Sequence, residues 1–221
     1  MRQWGRPAEG GVKFVLLSKF RTAAAVLGVG LLASPVTAAQ LDPAVRAMFS
    51  ETSLAVPTVS RMIICHGFGC ARRTALALTA ADRAKLTQLM APGKKSPLAE
   101  RLALANAVTW LERRSGPLAG ITRRVARAGP SQSGDPGQLD CVDTSRNTTS
   151  LFIVLEDMKL LRHHTIAGPE SRGFLLGGQV PHTTAVLAER VGGKKWAIDP
   201  WTRAYGQLPE VMPLDQWVKA P

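Results

Sequence analysis

Cys141 stands where a helix is predicted to begin, a position that suits a reactive thiol. A cysteine attacks as its thiolate, and the unpaired amides and dipole of a helix N-terminus favour that anion. Asp140 is a suitable N-cap, Asp143 follows as in a capping box, and apolar residues at 151–155 continue the helix. Both carboxylates, if charged, would raise the thiol pKa, so the thiol needs a basic partner.

His182 is the best-placed histidine to be that partner. It opens a predicted strand, and Asp199 ends the next strand, after the turn at 192–193. A carboxylate bound to the imidazole would fix its tautomer and orientation, as nucleophilic catalysis requires. The other histidines of the chain are His66, His163 and His164. Cys141, His182 and Asp199 are therefore the candidate catalytic residues.

The register of the hairpin decides whether His182 and Asp199 can meet, because directly opposed residues of an antiparallel pair share a face. A two-residue turn at 192–193 sets Asp199 opposite Val186, about 13 Å along the strand from His182. A four-residue connection at 189–192 sets Asp199 directly opposite His182. We predict the second register, or an equivalent bulge.

Three segments resemble the transglutaminase-like superfamily, including the bacterial transglutaminase-like cysteine proteinases. They are 138–143 with its helix continuing to 160–162, 181–186, and 196–201, so the resemblance covers under half of the chain. It implies a papain-like α+β fold and a Cys, His and Asp triad in this chain order. It also implies acyl transfer or amide hydrolysis through a thioester on a peptide or protein substrate, with no cofactor and no metal.

Carried onto this chain, the resemblance makes Cys141 the nucleophile, His182 the general base and then acid, and Asp199 the residue that orients His182. The Cys141 backbone amide and a second donor would hold the oxyanion. Gln138 is the candidate second donor, because papain-like enzymes use a glutamine upstream of the cysteine, although the spacing here is shorter. The side chain of Trp201 is expected to form part of the wall of the active site.

Three cysteines cannot all pair within one chain. Cys65 and Cys70 lie five residues apart with two glycines between them, which allows a tight turn and a disulfide. Cys141 is then the free thiol. An alternative is a zinc site that combines Cys65, His66 and Cys70 with His163 or His164, although this spacing matches no standard ligand pattern.

Residues 1–39 are typical of a bacterial secretory signal peptide. Basic residues precede an apolar run at 23–33, which is short for a membrane span, and small residues follow it. We expect cleavage near Ala38 or Ala39 and a periplasmic or secreted protein. An uncleaved membrane anchor is the alternative.

Residues 40–221 are predicted to form one transglutaminase-like domain of the α+β class. Residues 40–128 are expected to be its mainly helical basic half, and 138–201 its catalytic core. Helices are predicted at 42–49, 79–90, 96–114, 118–128 and 141–161. Strands are predicted at 62–64, 74–78, 165–166, 173–176, 182–191 and 196–198, with a wrapping coil after Pro200. The predicted inner face of the helix at 96–114 is Leu98, Leu102, Ala105, Val108 and Leu111.

The charge of the chain is uneven. The formal net charge is +12, and residues 61–127 carry 13 basic and 3 acidic residues against 9 and 10 in 129–221. A one-sided basic surface indicates an anionic envelope polymer or lipid partner. The arginines expected to contribute are Arg101, Arg113, Arg114, Arg123, Arg124 and Arg127.

Nucleic acid is disfavoured as a partner, because no basic motif is interleaved with aromatic residues and the chain carries an export signal. We expect a monomer. The alternatives to an enzyme are a catalytically silent domain that binds envelope polymer and a basic structural protein.

Overall fold

The computed structural model describes residues 41–173 and 181–220, which form a mixed α+β structure. The predicted signal peptide and most of the strand predicted at 173–176 lie outside the described residues, as does the turn predicted at 177–178. The described helices are α1 Pro43–Glu51, α2 Ala80–Met90, α3 Pro97–Ala119, α4 Cys141–Asp157 and α5 Leu214–Trp217. The strands are β1 Arg61–His66, β2 Arg72–Ala77, β3 His164–Arg172, β4 His182–Glu189, β5 Lys195–Asp199 and β6 Glu210–Pro213.

The strands form two antiparallel sheets. β1 and β2 make a hairpin, and the larger sheet has the order β3-β4-β5-β6. Within 41–173 and 181–220, no helix is long and apolar enough to cross a membrane.

The helix α4 lies at the centre of the core and packs against β1 and β4. Five consecutive residues, from Leu151 to Leu155, are fully buried. Four of them join one apolar cluster with Ile64 of β1, Leu104 of α3 and Leu187 of β4, whereas Ile153 packs in a second cluster with Val45 and Phe49 of α1. Each large apolar side chain buried in this way stabilises the fold by about 1.5–3 kcal/mol relative to an exposed one. The first turn of α4 is therefore held at a fixed place against both sheets.

The helical half differs from the prediction at the end of α3. Gly120 has φ 73° and caps α3 in the left-handed conformation, which suits glycine. The chain then makes turns through residues 121–128, so the helix predicted at 118–128 is wrong. Leu98 and Leu102 of α3 are about 60% exposed, so the inner face predicted for this helix is wrong at its start. The predicted residues Ala105, Val108 and Leu111 are buried, and Leu104 and Ala107 complete the buried face.

The register between β4 and β5 is neither of the two considered. Ala185 pairs with Ile198 and Ala188 with Lys195. Glu189 then bonds to the carbonyl of Lys194, so the four-residue connection is 190–193, one residue later than expected. Asp199 falls opposite Thr184, two residues from His182 on the same face. The predicted direct opposition is therefore wrong, but such diagonal neighbours are still within reach of a long side chain.

The chain after Pro200 is only partly a coil. β6 pairs antiparallel with β5, with Glu210 opposite Asp199. The short helix α5 follows directly and buries Trp217. This return to the sheet brings the end of the described chain beside the end of β5.

Candidate active site

Cys141 is the first residue of α4 and carries a free, partly exposed thiol. The Asp140 side chain accepts the Asp143 backbone N–H at 2.8 Å, and Asp143 accepts that of Asp140 at 3.3 Å. This reciprocal pair is the capping box predicted from the sequence. The thiol is thus fixed at the start of a capped and buried helix.

A disulfide joins Cys65 and Cys70, as predicted. Both thiols are used in this bond, so the alternative zinc site is wrong. The ring of His66 is engaged elsewhere, between the Pro136 carbonyl and the Thr74 hydroxyl. The disulfide closes a tight turn in which residues 67–70 all have positive φ, between 61° and 76°.

This disulfide turn, residues 65–70, presents three backbone amides to the cap of α4. The amides of Phe68 and Cys70 donate to the two oxygens of Asp143, at 2.9 and 2.6 Å. The amide of Gly69 donates to Asp140 at 2.8 Å. These bonds add to the capping box and give further donors to two acidic groups beside the nucleophile.

The electrostatics at the start of α4 favour a protonated resting thiol. Burial raises the pKa of the Cys141 thiol, and the negative charges of Asp140 and Asp199 raise it further. The backbone N–H groups of Thr183 and Cys141 act in the opposite direction. Burial and Asp140 also raise the pKa of Asp143 to about 7, against the amides that it accepts. A nucleophile in this setting needs a base to remove its proton.

His182 and Asp199 form a buried hydrogen-bonded pair, with His182 Nε2 and Asp199 Oδ2 2.6 Å apart. The carboxylate also accepts Trp217 Nε1–H at 2.8 Å and the Trp201 backbone N–H at 3.2 Å. Because a carboxylate only accepts, Nε2 carries the imidazole proton. Nδ1 of His182 is buried without a hydrogen-bond partner among the described residues, so its lone pair is free to accept a proton.

Two tryptophan rings enclose the imidazole of His182. The ring centroid of Trp201 lies 4.3 Å away and that of Trp217 lies 5.2 Å away. Trp201 is itself held by a bond from Nε1 to the Ala128 carbonyl. The sequence predicted a wall role for Trp201, whereas it missed the contact of Trp217, which depends on the pairing of β6 with β5.

Cys141 and His182 line one open cavity of about 440 Å³. Its walls come from α1, from the first two turns of α4, and from the ends of β3 and β4. Thr183, the neighbour of His182, places its backbone N–H against the Cys141 sulfur. The catalytic hydrogen bond between Cys141 and His182 is not formed among the described residues. Such bonds often tighten only when substrate binds.

Gly168 lets α1 close the cavity on one side. It lies at an irregularity in β3, between Ala167 and Glu170. A Cβ atom at this position would stand 2.5 Å from the Ala44 Cβ, closer than packing allows. The lack of a side chain therefore brings α1 against the sheet, beside the two candidate catalytic residues.

Gln138 does not lie in the cavity. Its side-chain oxygen accepts the Val125 backbone N–H at 2.9 Å, and its nitrogen donates to the Arg123 carbonyl at 3.3 Å. Both ends of the amide are used to fix the loop after α3, so the predicted oxyanion role is wrong. The Cys141 backbone amide, at the first turn of α4, remains the candidate donor.

The six arginines predicted to form a basic surface are only partly at the surface. Arg101 and Arg124 are buried and pair with Glu189 and Glu112, respectively. A further two are bound at their guanidinium groups, Arg114 to Asp82 and Arg113 to the Gly206 carbonyl. Arg123 and Arg127 are exposed. The predicted surface is therefore wrong at Arg101 and Arg124, which are buried against acids distant in the sequence, whereas Arg113 is exposed as well.

Two polar residues of the cavity wall were not anticipated. Ser145 lies one turn after Cys141, and its buried hydroxyl has no hydrogen-bond partner among the described residues. The same holds for Nε of Arg146. Their spacing of four and five residues from the nucleophile on a helix was the available signal.

No protein-family model, curated protein or solved structure matches the chain.

Proposed function

We propose that this protein is an exported thiol enzyme that hydrolyses or transfers amide or isopeptide bonds. The observation that carries the proposal is the pair His182–Asp199, whose free Nδ1 belongs to a residue lining the cavity that also holds Cys141. A buried carboxylate, an oriented imidazole and a thiol at a helix N-terminus are the three parts of a nucleophilic triad.

The proposed reaction begins with proton transfer from the Cys141 thiol to Nδ1 of His182. The sulfur attacks the substrate carbonyl carbon, and the oxyanion that forms is stabilised by the Cys141 backbone N–H and the positive end of α4. His182 then donates its proton to the amide nitrogen, the C–N bond breaks and the amine leaves. A thioester remains on Cys141.

The second half of the reaction resolves the thioester. Water, or a second amine in the transferase case, loses a proton to Nδ1 as its oxygen or nitrogen attacks the thioester carbon. The C–S bond breaks, and the thiolate takes back the proton from His182. Asp199 keeps its charge throughout and stabilises the imidazolium that forms in both halves.

The architecture supports a papain-like core of the transglutaminase type. The candidate nucleophile opens a buried helix, that helix packs on an antiparallel sheet, and the sheet carries His182 and then Asp199 on adjacent strands. This is the chain order of the superfamily that the three segments resemble. Export through the predicted signal peptide is part of the proposal and agrees with a disulfide beside the active site.

The test is the rate at which iodoacetamide alkylates Cys141, followed by peptide mass spectrometry. We expect His182→Ala to slow this alkylation by about 10²-fold, because the base that removes the thiol proton is lost. His163→Ala is the matched control, since His163 is partly exposed, bonds to the Lys94 carbonyl and lies outside the cavity. Equal rates in the native protein and His182→Ala, or an unreactive native Cys141, would contradict the proposal.

A further inference from the structure

We propose that the cavity selects acyl substrates that carry a carboxylate, and that Arg146 binds this carboxylate. The inference rests on the proposed function, because it assigns the substrate class of the same site. It follows from the charge and hydrogen-bonding state of the residues on the α4 wall.

Arg146 differs from the other arginines of the described residues. Five of them pair with carboxylates: Arg101, Arg114, Arg124, Arg190 and Arg203. The remaining ones either donate to backbone carbonyls or are exposed to water. Arg146 is only partly exposed, its Nε is buried, and no hydrogen bond or ion pair engages it within the described part of the chain. A guanidinium nitrogen that is shielded from water without a partner lacks compensation for its lost hydration.

Ser145 provides a second unpaired donor on the same wall. Its residue is 2% exposed, and its Oγ has no partner among the described residues. A carboxylate accepts hydrogen bonds only, and a planar guanidinium binds it through two parallel N–H bonds. A carboxylate on the α4 side of the cavity would therefore give the Arg146 guanidinium the partner that it lacks, with Ser145 beneath it.

The charged residues that line the cavity indicate which side of it would bind an anion. Glu51 is the one carboxylate among the described lining residues, and it belongs to α1, whereas Arg146 belongs to α4. It would repel an acidic group placed on the α1 side. The cavity volume of about 440 Å³ is within the range of pockets that enclose a small ligand. The acidic group of the substrate is thus expected beside α4, next to the reacting carbonyl.

Two alkylating reagents of nearly equal size distinguish selectivity for a carboxylate from the general reactivity of the Cys141 thiol. Iodoacetate and iodoacetamide both form a C–S bond with Cys141 and release iodide, while the thiol proton passes to His182. Only iodoacetate carries a carboxylate. The measured quantity is the ratio of the two alkylation rates at Cys141.

We expect Arg146→Gln to lower the iodoacetate-to-iodoacetamide ratio by about tenfold, the size of one lost charge-assisted hydrogen bond. Arg123→Gln removes the same charge from an exposed side chain outside the cavity and should leave the ratio unchanged. Glu51→Gln should raise the ratio. The far-ultraviolet circular dichroism spectrum shows that each variant is folded, and the ratio cancels any change in thiol reactivity that both reagents share.

The outcomes distinguish the two proposals. If both reagents label the native protein but Arg146→Gln keeps the native ratio, the carboxylate selectivity is overturned and the triad stands. An equal fall in the ratio for Arg123→Gln and Arg146→Gln also overturns it, because the effect is then the net charge of the protein. If neither reagent labels native Cys141, the proposed function fails and the selectivity fails with it.

Discussion

The described part of the chain contains two buried histidine–carboxylate pairs, and they differ in whether the second ring nitrogen of the histidine has a partner. His164 Nδ1 lies 3.0 Å from Glu100 Oε1, and both side chains are fully buried. Arg101 donates to His164 Nε2 at 3.2 Å. In the pair of His182 and Asp199, by contrast, the second nitrogen has no partner within the described residues.

The carboxylates of the two pairs also have different surroundings. Glu100 accepts the backbone N–H groups of Arg162, His163 and His164, so it fixes the start of β3. Asp199 accepts from Trp217 and from the Trp201 backbone, and it aims an imidazole at a cavity. Every polar atom of the first pair is used within the fold, whereas the second keeps one basic nitrogen free. That single free nitrogen separates a structural histidine from a candidate base.

The largest effect expected from this comparison is on the rate of Cys141 alkylation in Asp199→Asn. An asparagine can donate to Nε2, which would move the proton to Nδ1 and remove the base, so we expect the iodoacetamide rate to fall by about 10²–10⁴-fold. If the charge of Asp199 served only to raise the thiol pKa, its removal would speed the reaction instead. Asp215→Asn, an exposed acid of α5, is the matched control.

Glu100→Gln is expected to lower the free energy of unfolding without slowing the alkylation of Cys141. Breaking a buried pair by neutralising one partner costs about 3–5 kcal/mol in the free energy of unfolding, measurable by urea denaturation. The alkylation rate of the folded protein should stay close to the native rate. Glu156→Gln breaks the surface pair with Arg190 and should cost at most about 1 kcal/mol. A slowing as large as that of Asp199→Asn would mean that both pairs serve the site.

The smallest expected effects are on how the free energy of unfolding depends on pH. Two buried acids, Glu100 and Asp143, should change this free energy in opposite directions. Burial opposes ionisation of Glu100, but bonds from His164 and the amides of Arg162 and His163 lower its pKa below the usual value. Its stabilising contribution is therefore lost as pH falls. The pKa of Asp143 is raised to about 7, so its contribution is present at low pH and is lost as pH rises toward about 7.

Urea unfolding at pH 5 and pH 8 checks these signs. Relative to Asp143→Asn, which cannot ionise, the native protein should lose stability between the two values. Relative to Glu100→Gln, the native protein should lose stability when the pH is lowered below 5. If the free energies of unfolding of the native protein and of Asp143→Asn changed equally between pH 5 and pH 8, the raised pKa of Asp143 would be contradicted.

Local signals in the sequence predicted the start of α4 and its neighbourhood. The capping box of Asp140 and Asp143, the disulfide between Cys65 and Cys70, and the strands that carry His182 and Asp199 all depend on residues close in sequence. The hairpin register was missed by one residue in the connection, because several turns can close after Glu189 and only packing of the sheet selects one.

Features that depend on distant residues were not predictable. Gln138 fits the superfamily pattern, but its amide is taken up by backbone groups at Arg123 and Val125. Arg124 belongs to a basic run, yet it is buried against Glu112 after the chain turns at Gly120. Trp217 reaches Asp199 only because β6 returns to the sheet. In each case the partner is set by tertiary packing rather than by spacing.

The disulfide turn has a consequence for how the protein divides into functional parts. The amides that bind Asp140 and Asp143 come from residues 68–70, more than seventy positions earlier in the chain. A fragment limited to 138–201 would keep all three candidate catalytic residues and the capping box, but these carboxylates would lose the three amides of the disulfide turn. The segment that resembles a known superfamily is therefore not a self-sufficient module, and the reactive cysteine depends on the part of the chain that carries no recognisable motif.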